Sequence, residues 1–222
     1  MKRYVPFVII LAVALLTVVG GALSYKAKLR SAAKRSEEKA AMARLDAGPS
    51  AQPGNPVKLD EFADFQCSSC AMLAAIIFQL ERTYGSRIQV AFWYFPLPIH
   101  RHAREAAFAA QAASLQGHFS EMHDWLFQNQ ANWSKAADVR PLFDSYAKEI
   151  GLDLAQFRRD FESKQVADRI TTDQERGIAL GVENTPTLFI DGREFSPPFT
   201  LARVRDAIEA AMVPSKTAHS DH

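Results

Sequence analysis

Cys67 and Cys70 are the only two cysteines in 222 residues, and they stand three positions apart. A pair at this spacing can cycle between dithiol and disulfide. One sulfur attacks a foreign disulfide as a thiolate, and the other resolves the mixed disulfide that forms. One pair is too few for a disulfide-stapled scaffold, and it cannot make a four-thiolate zinc site within the chain. A lone C-x-x-C also serves as half of a zinc site or as a loop carrying a soft ion such as Cu(I). No further Cys and no Met-rich stretch adjoins this one. The pair therefore points to chemistry at sulfur rather than to support of a fold.

Hydrophobic patterning places the pair between a strand over Val57–Phe65 and a helix from about Ser68 to Tyr84. In the helix, Leu73, Ile76, Ile77, Leu80 and Tyr84 recur at helical spacing before Gly85. Cys67 then falls at the first turn, where unpaired backbone N–H groups and the helix dipole favour an anion. This position assigns Cys67 as the exposed nucleophile. Cys70, one turn on, is the resolving thiol.

The elements that must hold this turn follow in order. Arg87–Phe95 is rich in β-branched and aromatic residues and reads as a second strand, stopped by Pro96 and Pro98. A helical stretch from about 101 to 180 is divided by Gly117, Pro141 and Gly151 into about five helices and closed by Gly181. Within it, Leu142, Phe143 and Tyr146 share one face and Leu154, Phe157 and Phe161 another, both as core. Thr185–Ile190 reads as a strand, Asp191-Gly192 as a hairpin turn, and Leu201–Met212 as a last helix with Thr200 as its N-cap. The order predicts an α/β domain with a small mixed sheet and a helical insertion. No internal repeat is present.

Before this domain, Tyr4–Leu23 carries no charge over twenty positions. As a helix it would span about 30 Å, the thickness of a bilayer core. Residues 1–25 read as a transmembrane anchor or a cleavable signal segment. Ala22-Leu23-Ser24 offers a small-x-small cleavage pattern, but the run exceeds the usual apolar core of a signal peptide, which favours the anchor. Residues 26–56 form a charged helical stalk (26–45) and a Gly/Pro/Ser linker (46–56), residues 57–213 the folded domain, and 214–222 a disordered polar tail. Lys26, Lys28, Arg30, Lys34 and Arg35 outnumber Lys2 and Arg3, so a positive-inside count opposes an exported domain. A net charge of +1 argues against a nucleic-acid partner.

The stretch VKLDEFADFQCSSCA resembles the active-site segment of DsbA-like members of the thioredoxin superfamily. FPLPIHRHAREAAFAAQAA, QGHFSEMHDWLF and GVENTPTLFIDGR are similar to later segments of the same group, so the resemblance extends over about Val57–Met212. It implies a thioredoxin-like fold with an inserted helical subdomain at about 101–180, acting without a cofactor or metal. It also implies that Pro186, after Thr185, is the cis-proline of a substrate-binding loop. Glu61, six residues before Cys67, matches the family's buried acid, which could exchange a proton with Cys70. Asp60 should face the other side of the strand.

The implied activity is introduction of disulfides into exported proteins, with reoxidation by a quinone-linked membrane partner. The alternative within the same fold is a reductase or isomerase fed by a thiol reductant donor. The implied location is the bacterial inner membrane, with the domain in the periplasm, or secretion if the leader is cleaved. Ser68-Ser69 departs from the Pro-His of DsbA and leaves the direction of electron flow open. His118 and His123, five apart, do not share a helix face as metal ligands would, and His100 and His102 fall near the rim of the active-site groove.

Overall fold

The computed structural model describes residues 55–213. The apolar run 4–23, the stalk, most of the linker and the tail lie outside the described residues. Among those described, no helix is long and apolar enough to cross a membrane.

The elements are β1 (Val57–Ala63), α1 (Ser68–Tyr84), β2 (Ile88–Tyr94), α2 (Ala103–Ser114), α3 (Phe119–Gln128), α4 (Gln130–Trp133), α5 (Arg140–Glu149), α6 (Leu154–Phe161), α7 (Lys164–Leu180), β3 (Thr187–Ile190), β4 (Arg193–Phe195) and α8 (Leu201–Met212). The sheet order is β2-β1-β3-β4; β1 runs parallel to β2 and antiparallel to β3, which pairs antiparallel with β4. The parallel pair needs a crossover, and α1 supplies it. The fold is thioredoxin-like, with the run from α2 to α7 inserted between β2 and β3.

Alternation along β1 divides the domain. Leu59 looks toward α1 and α8, in a core with Leu73, Ile77, Leu80, Leu188, Val204 and Ile208. Phe62 looks the other way, stacking on Trp93 at 5.9 Å and meeting Phe95 and Phe189 edge-on. On this second side α7 comes very close: a Cβ built on Gly177 would lie 2.7 Å from two Phe95 ring carbons. The inserted helices bury their own core, with Leu126, Trp133, Phe143, Phe157 and Ile170, and Phe65 and Tyr94 join it from the sheet. At the end of β2, Phe95 N–H donates to Ala63 O at 2.8 Å, while Tyr94 N–H turns outward to the Asp173 carboxylate at 3.3 Å.

Several boundaries differ from those read in the sequence. β1 stops at Ala63, because the chain turns there: Cys67 N–H donates to Asp64 O at 3.1 Å and Phe65 dives into the insertion core. β2 begins at Ile88 because Gly85–Arg87 form a 3-10 turn. The insertion holds six helices rather than about five, since the chain breaks at Asn129 between α3 and α4. β3 starts at Thr187, leaving Thr185 and Pro186 in the loop before it. Thr200 does cap α8, its side chain accepting from Arg203 N–H.

Candidate active site

Cys67 is the N-cap of α1, in an extended conformation with no side chain capping the helix. Its carbonyl accepts from the N–H groups of Cys70 at 3.1 Å and Ala71 at 3.3 Å, starting the helical ladder. The turn before it is tied from outside: the Gln130 side-chain amide donates to Phe65 O at 2.7 Å and Cys67 O at 3.0 Å. Asp64, fully buried, accepts from Gln66 N–H, Leu97 N–H and the His100 ring, at 2.7, 2.8 and 2.7 Å. Sequence reading passed over Gln130 and Asp64. Their signal lies only in the contacts they make.

The two sulfurs differ in access. Cys70 is 0% exposed and Cys67 9%, with its thiol set toward Thr185 O at 3.3 Å. The Cys67 pKa falls from about 9 to about 5, chiefly because the Cys70 thiol donates to it, with help from the Cys70 and Ser69 N–H groups. The Thr185 hydroxyl, buried and unpartnered beside a neutral thiol, is a further donor for the thiolate. For Cys70 the direction is opposite: burial, above all, pushes its pKa far up. One sulfur is thus held ready as an anion and its neighbour as a proton donor.

Thr185–Pro186 is a cis peptide bond at the start of the loop facing Cys67, and Pro197–Pro198 is another, away from the pair. Glu61 sits under α1 and is 2% exposed, with Oε1 carrying no hydrogen bond. Burial, and then the charge of Glu81, pushes its pKa up to about 8. Its charge in turn acts on Cys70. Asp60 faces the opposite side of β1 and accepts from the Trp93 indole at 2.8 Å.

The histidines scatter. His102 is not at a groove rim: it is 4% exposed, its ring engaging Ala136 O at 2.9 Å while its N–H donates to Gln66, because the start of α2 packs down on the loop before Cys67. His100, partly exposed, braces Asp64. His118 pairs with Glu121, and His123 with Asp124. Among the described residues no group of His, Cys, Asp and Glu could hold a metal ion.

A mixed sheet with a paired-cysteine helix start opposite a cis-proline loop defines a thioredoxin-fold redox domain. Residues 52–210 match the family model described as Thioredoxin, and the chain belongs to that family. The site holds the parts that thiol–disulfide exchange requires, a thiol stabilised as an anion and a buried partner one turn on. Among solved structures, BdbD from Bacillus subtilis aligns with a TM-score of 0.64 at 18% identity, over 73% of this chain and 90% of that one. Wolbachia pipientis α-DsbA1 aligns with a TM-score of 0.63 at 20% identity, over 73% and 88%. At these identities the two bear on the fold, which is the one that the DsbA-like resemblance implies. A curated relative, the Na(+)/H(+) antiporter NhaA 1 of Mycolicibacterium gilvum, is 34% identical over 162 residues, 72% of this chain and 25% of that protein. The chain thus spans about a quarter of the length of the curated relatives it matches.

Proposed function

We propose that this chain is a disulfide oxidase acting on cysteine-containing proteins outside the cytoplasm. A substrate thiolate attacks Cys67 Sγ of the Cys67–Cys70 disulfide, the S–S bond breaks, and its electron pair leaves on Cys70. Glu61 supplies the proton that Cys70 then takes. A second substrate thiolate attacks the mixed disulfide, the substrate departs oxidised, and Cys67 is released as a thiolate. Backbone at Thr185, ahead of Pro186, pairs with the extended substrate segment. Two electrons remain on the pair until a membrane oxidant, quinone-linked, removes them. The uncharged run 4–23 supports a bilayer anchor for the domain.

The observation that carries the direction is the set of donors on Cys67 sulfur. Stabilising the thiolate stabilises the reduced protein and makes the disulfide a stronger oxidant. A tenfold preference is worth about 1.4 kcal/mol, or about 30 mV for this two-electron couple. Ser68 and Ser69 add no cation, so the effect rests on the Cys70 thiol, the helix N–H groups and the Thr185 hydroxyl. The soft-ion reading fares worse, because it needs both sulfurs as thiolates and burial keeps Cys70 protonated.

Titration of Cys67 and the redox potential of the pair test the proposal. The expected results are a thiol pKa near 5 and a potential well above the about −270 mV of thioredoxin. The folded pKa is depressed, so the reduced form's extra stability is full above the ordinary thiol range and is lost as pH falls through about 5. A reducing potential, with the pair reduced at steady state in cells, would replace the oxidase by a reductase or isomerase. An isomerase would also require a dimer, which sedimentation reads directly.

A further inference from the structure

A buried acid that trades protons with Cys70 must also trade them with water, and Glu61 has no exposed surface of consequence. Beneath it a cleft of about 320 Å³ opens between β1, α1, β2 and α3, with Glu61 at its floor. Its walls are apolar and polar in about equal parts, with Ile77, Val90, Phe92 and Phe119 on the apolar side. The titratable groups facing it are few: Glu61 from β1, Glu81 from α1, and His123 with Asp124 from α3, while β2 contributes none. A second groove of about 420 Å³ runs alongside, between α1 and α3 past Ala71 and Phe78. His123 and Asp124 line both.

His123 is built in rather than loosely exposed. Its ring stands edge-on to Phe65, Phe92 and Phe127, with centroids 5.8, 5.4 and 4.9 Å away, and tilts against Phe119 at 5.6 Å. Nδ1 engages the Asp124 carboxylate at 3.0 Å, which fixes the ring and leaves Nε2 as the other proton-carrying atom. The side chain keeps 18% exposure, so it touches solvent while lining the way to Glu61.

We propose that His123, oriented by Asp124, relays the proton between Glu61 and solvent through this cleft. The proposal rests on the thiol–disulfide reading of Cys67 and Cys70 and adds a residue to it. When a substrate thiolate breaks the Cys67–Cys70 bond, Cys70 sulfur takes the Glu61 proton and leaves a carboxylate. That carboxylate is reprotonated through His123, which draws its proton from water. In the reverse direction the same proton leaves by the same route. A water takes about 30 Å³, so the cleft has room for the few that link Glu61 to the imidazole. Glu81, raised in pKa chiefly by desolvation, sits within electrostatic reach of both Glu61 and His123, so the charges along the route are coupled. His123 acts through Glu61 and never touches sulfur.

The test is stopped-flow exchange between the oxidised full chain and a two-cysteine peptide, from pH 5 to 9 in dilute buffer, with redox potentials measured alongside. A relay changes rate without changing the end states. His123→Ala should slow exchange by at least about tenfold, less than loss of a group at the reacting atom itself. The potential should stay at the wild-type value, and added imidazole should restore the rate. In a Glu61→Gln background the same substitution should cost nothing more, because the relay then has no acid to serve. A wild-type rate in His123→Ala overturns the proposal. So does a further loss in the Glu61→Gln background, or a shifted potential without imidazole rescue, either of which marks a packing role. If the wild-type chain exchanges no faster than a Cys67→Ser variant, the thiol–disulfide reading itself falls, and the relay with it.

Discussion

Asp60 and Glu61 are neighbours in the chain and opposites in the fold. Asp60 points to the side of β1 where Trp93 donates an indole hydrogen bond, α7 closes in and aromatic rings interlock. Glu61 points to the side of the cysteines, loses its water and finds no partner for Oε1. A buried polar atom without a partner costs about 1–3 kcal/mol, more if charged. A fold selected for stability alone would place Leu or Gln there. The difference separates a side of the sheet built to hold from a side built to react.

Replacing Glu61 by Gln gives the largest expected effect. The folded acid has its pKa raised from 4.5 to about 8, so the neutral form is the one the fold accepts. Relative stability is then full below about 4.5 and is lost as pH rises through about 8. Glu61→Gln should be more stable than wild type above pH 8, on the order of 5 kcal/mol, with the gain vanishing near pH 4. Urea unfolding of the oxidised protein across this range measures it. A pH-independent difference would mean that Glu61 does not ionise in this window.

On the holding side, Gly177→Ala should destabilise by about 1–3 kcal/mol, since the new methyl meets the Phe95 ring at 2.7 Å. The Cys67 pKa should stay where it is. A shift of that pKa would show the two sides to be less separate than β1 makes them. Smallest is Asp60→Asn, which keeps an oxygen for the Trp93 indole and should change stability by less than about 1 kcal/mol at neutral pH. Its exchange rate should match wild type. A loss comparable to that of Glu61→Gln would erase the contrast between the two carboxylates.

The pair and its helix were legible in the sequence because both depend on local spacing, whereas the acid six residues upstream and the Thr185-Pro186 step came only through the resemblance to DsbA-like sequences. So were the mixed sheet and the interruption by helices, because periodicity switches along the chain. What failed to show is set by distant packing. His102 is polar and sits beside a proline-rich loop, yet α2 buries it against Ala136. His123 carried no ligand signal at five residues from His118. Its place beside the Glu61 cleft follows from α3 lying across α1, which no pattern within α3 announces. Gln130 reaches back sixty-three positions to Cys67. The break at Asn129 that frees it is a single residue without a proline or glycine to mark it.

The outward Tyr94 N–H capped by Asp173 also bears on association. An uncovered strand edge invites a second chain to add to the sheet. Along β2 that invitation is blunted by the Asp173 carboxylate, whose own charge is steadied by Arg169 at 2.8 Å. The opposite edge, β4, is three residues long and presents Arg193 and Glu194. The β4 rim thus offers no long apolar template, and the β2 rim is closed at its Tyr94 end. Under the proposed exchange reaction, a visiting polypeptide would then be steered to the short stretch at Thr185, where its cysteine can be reached, rather than along a flank where it would stick.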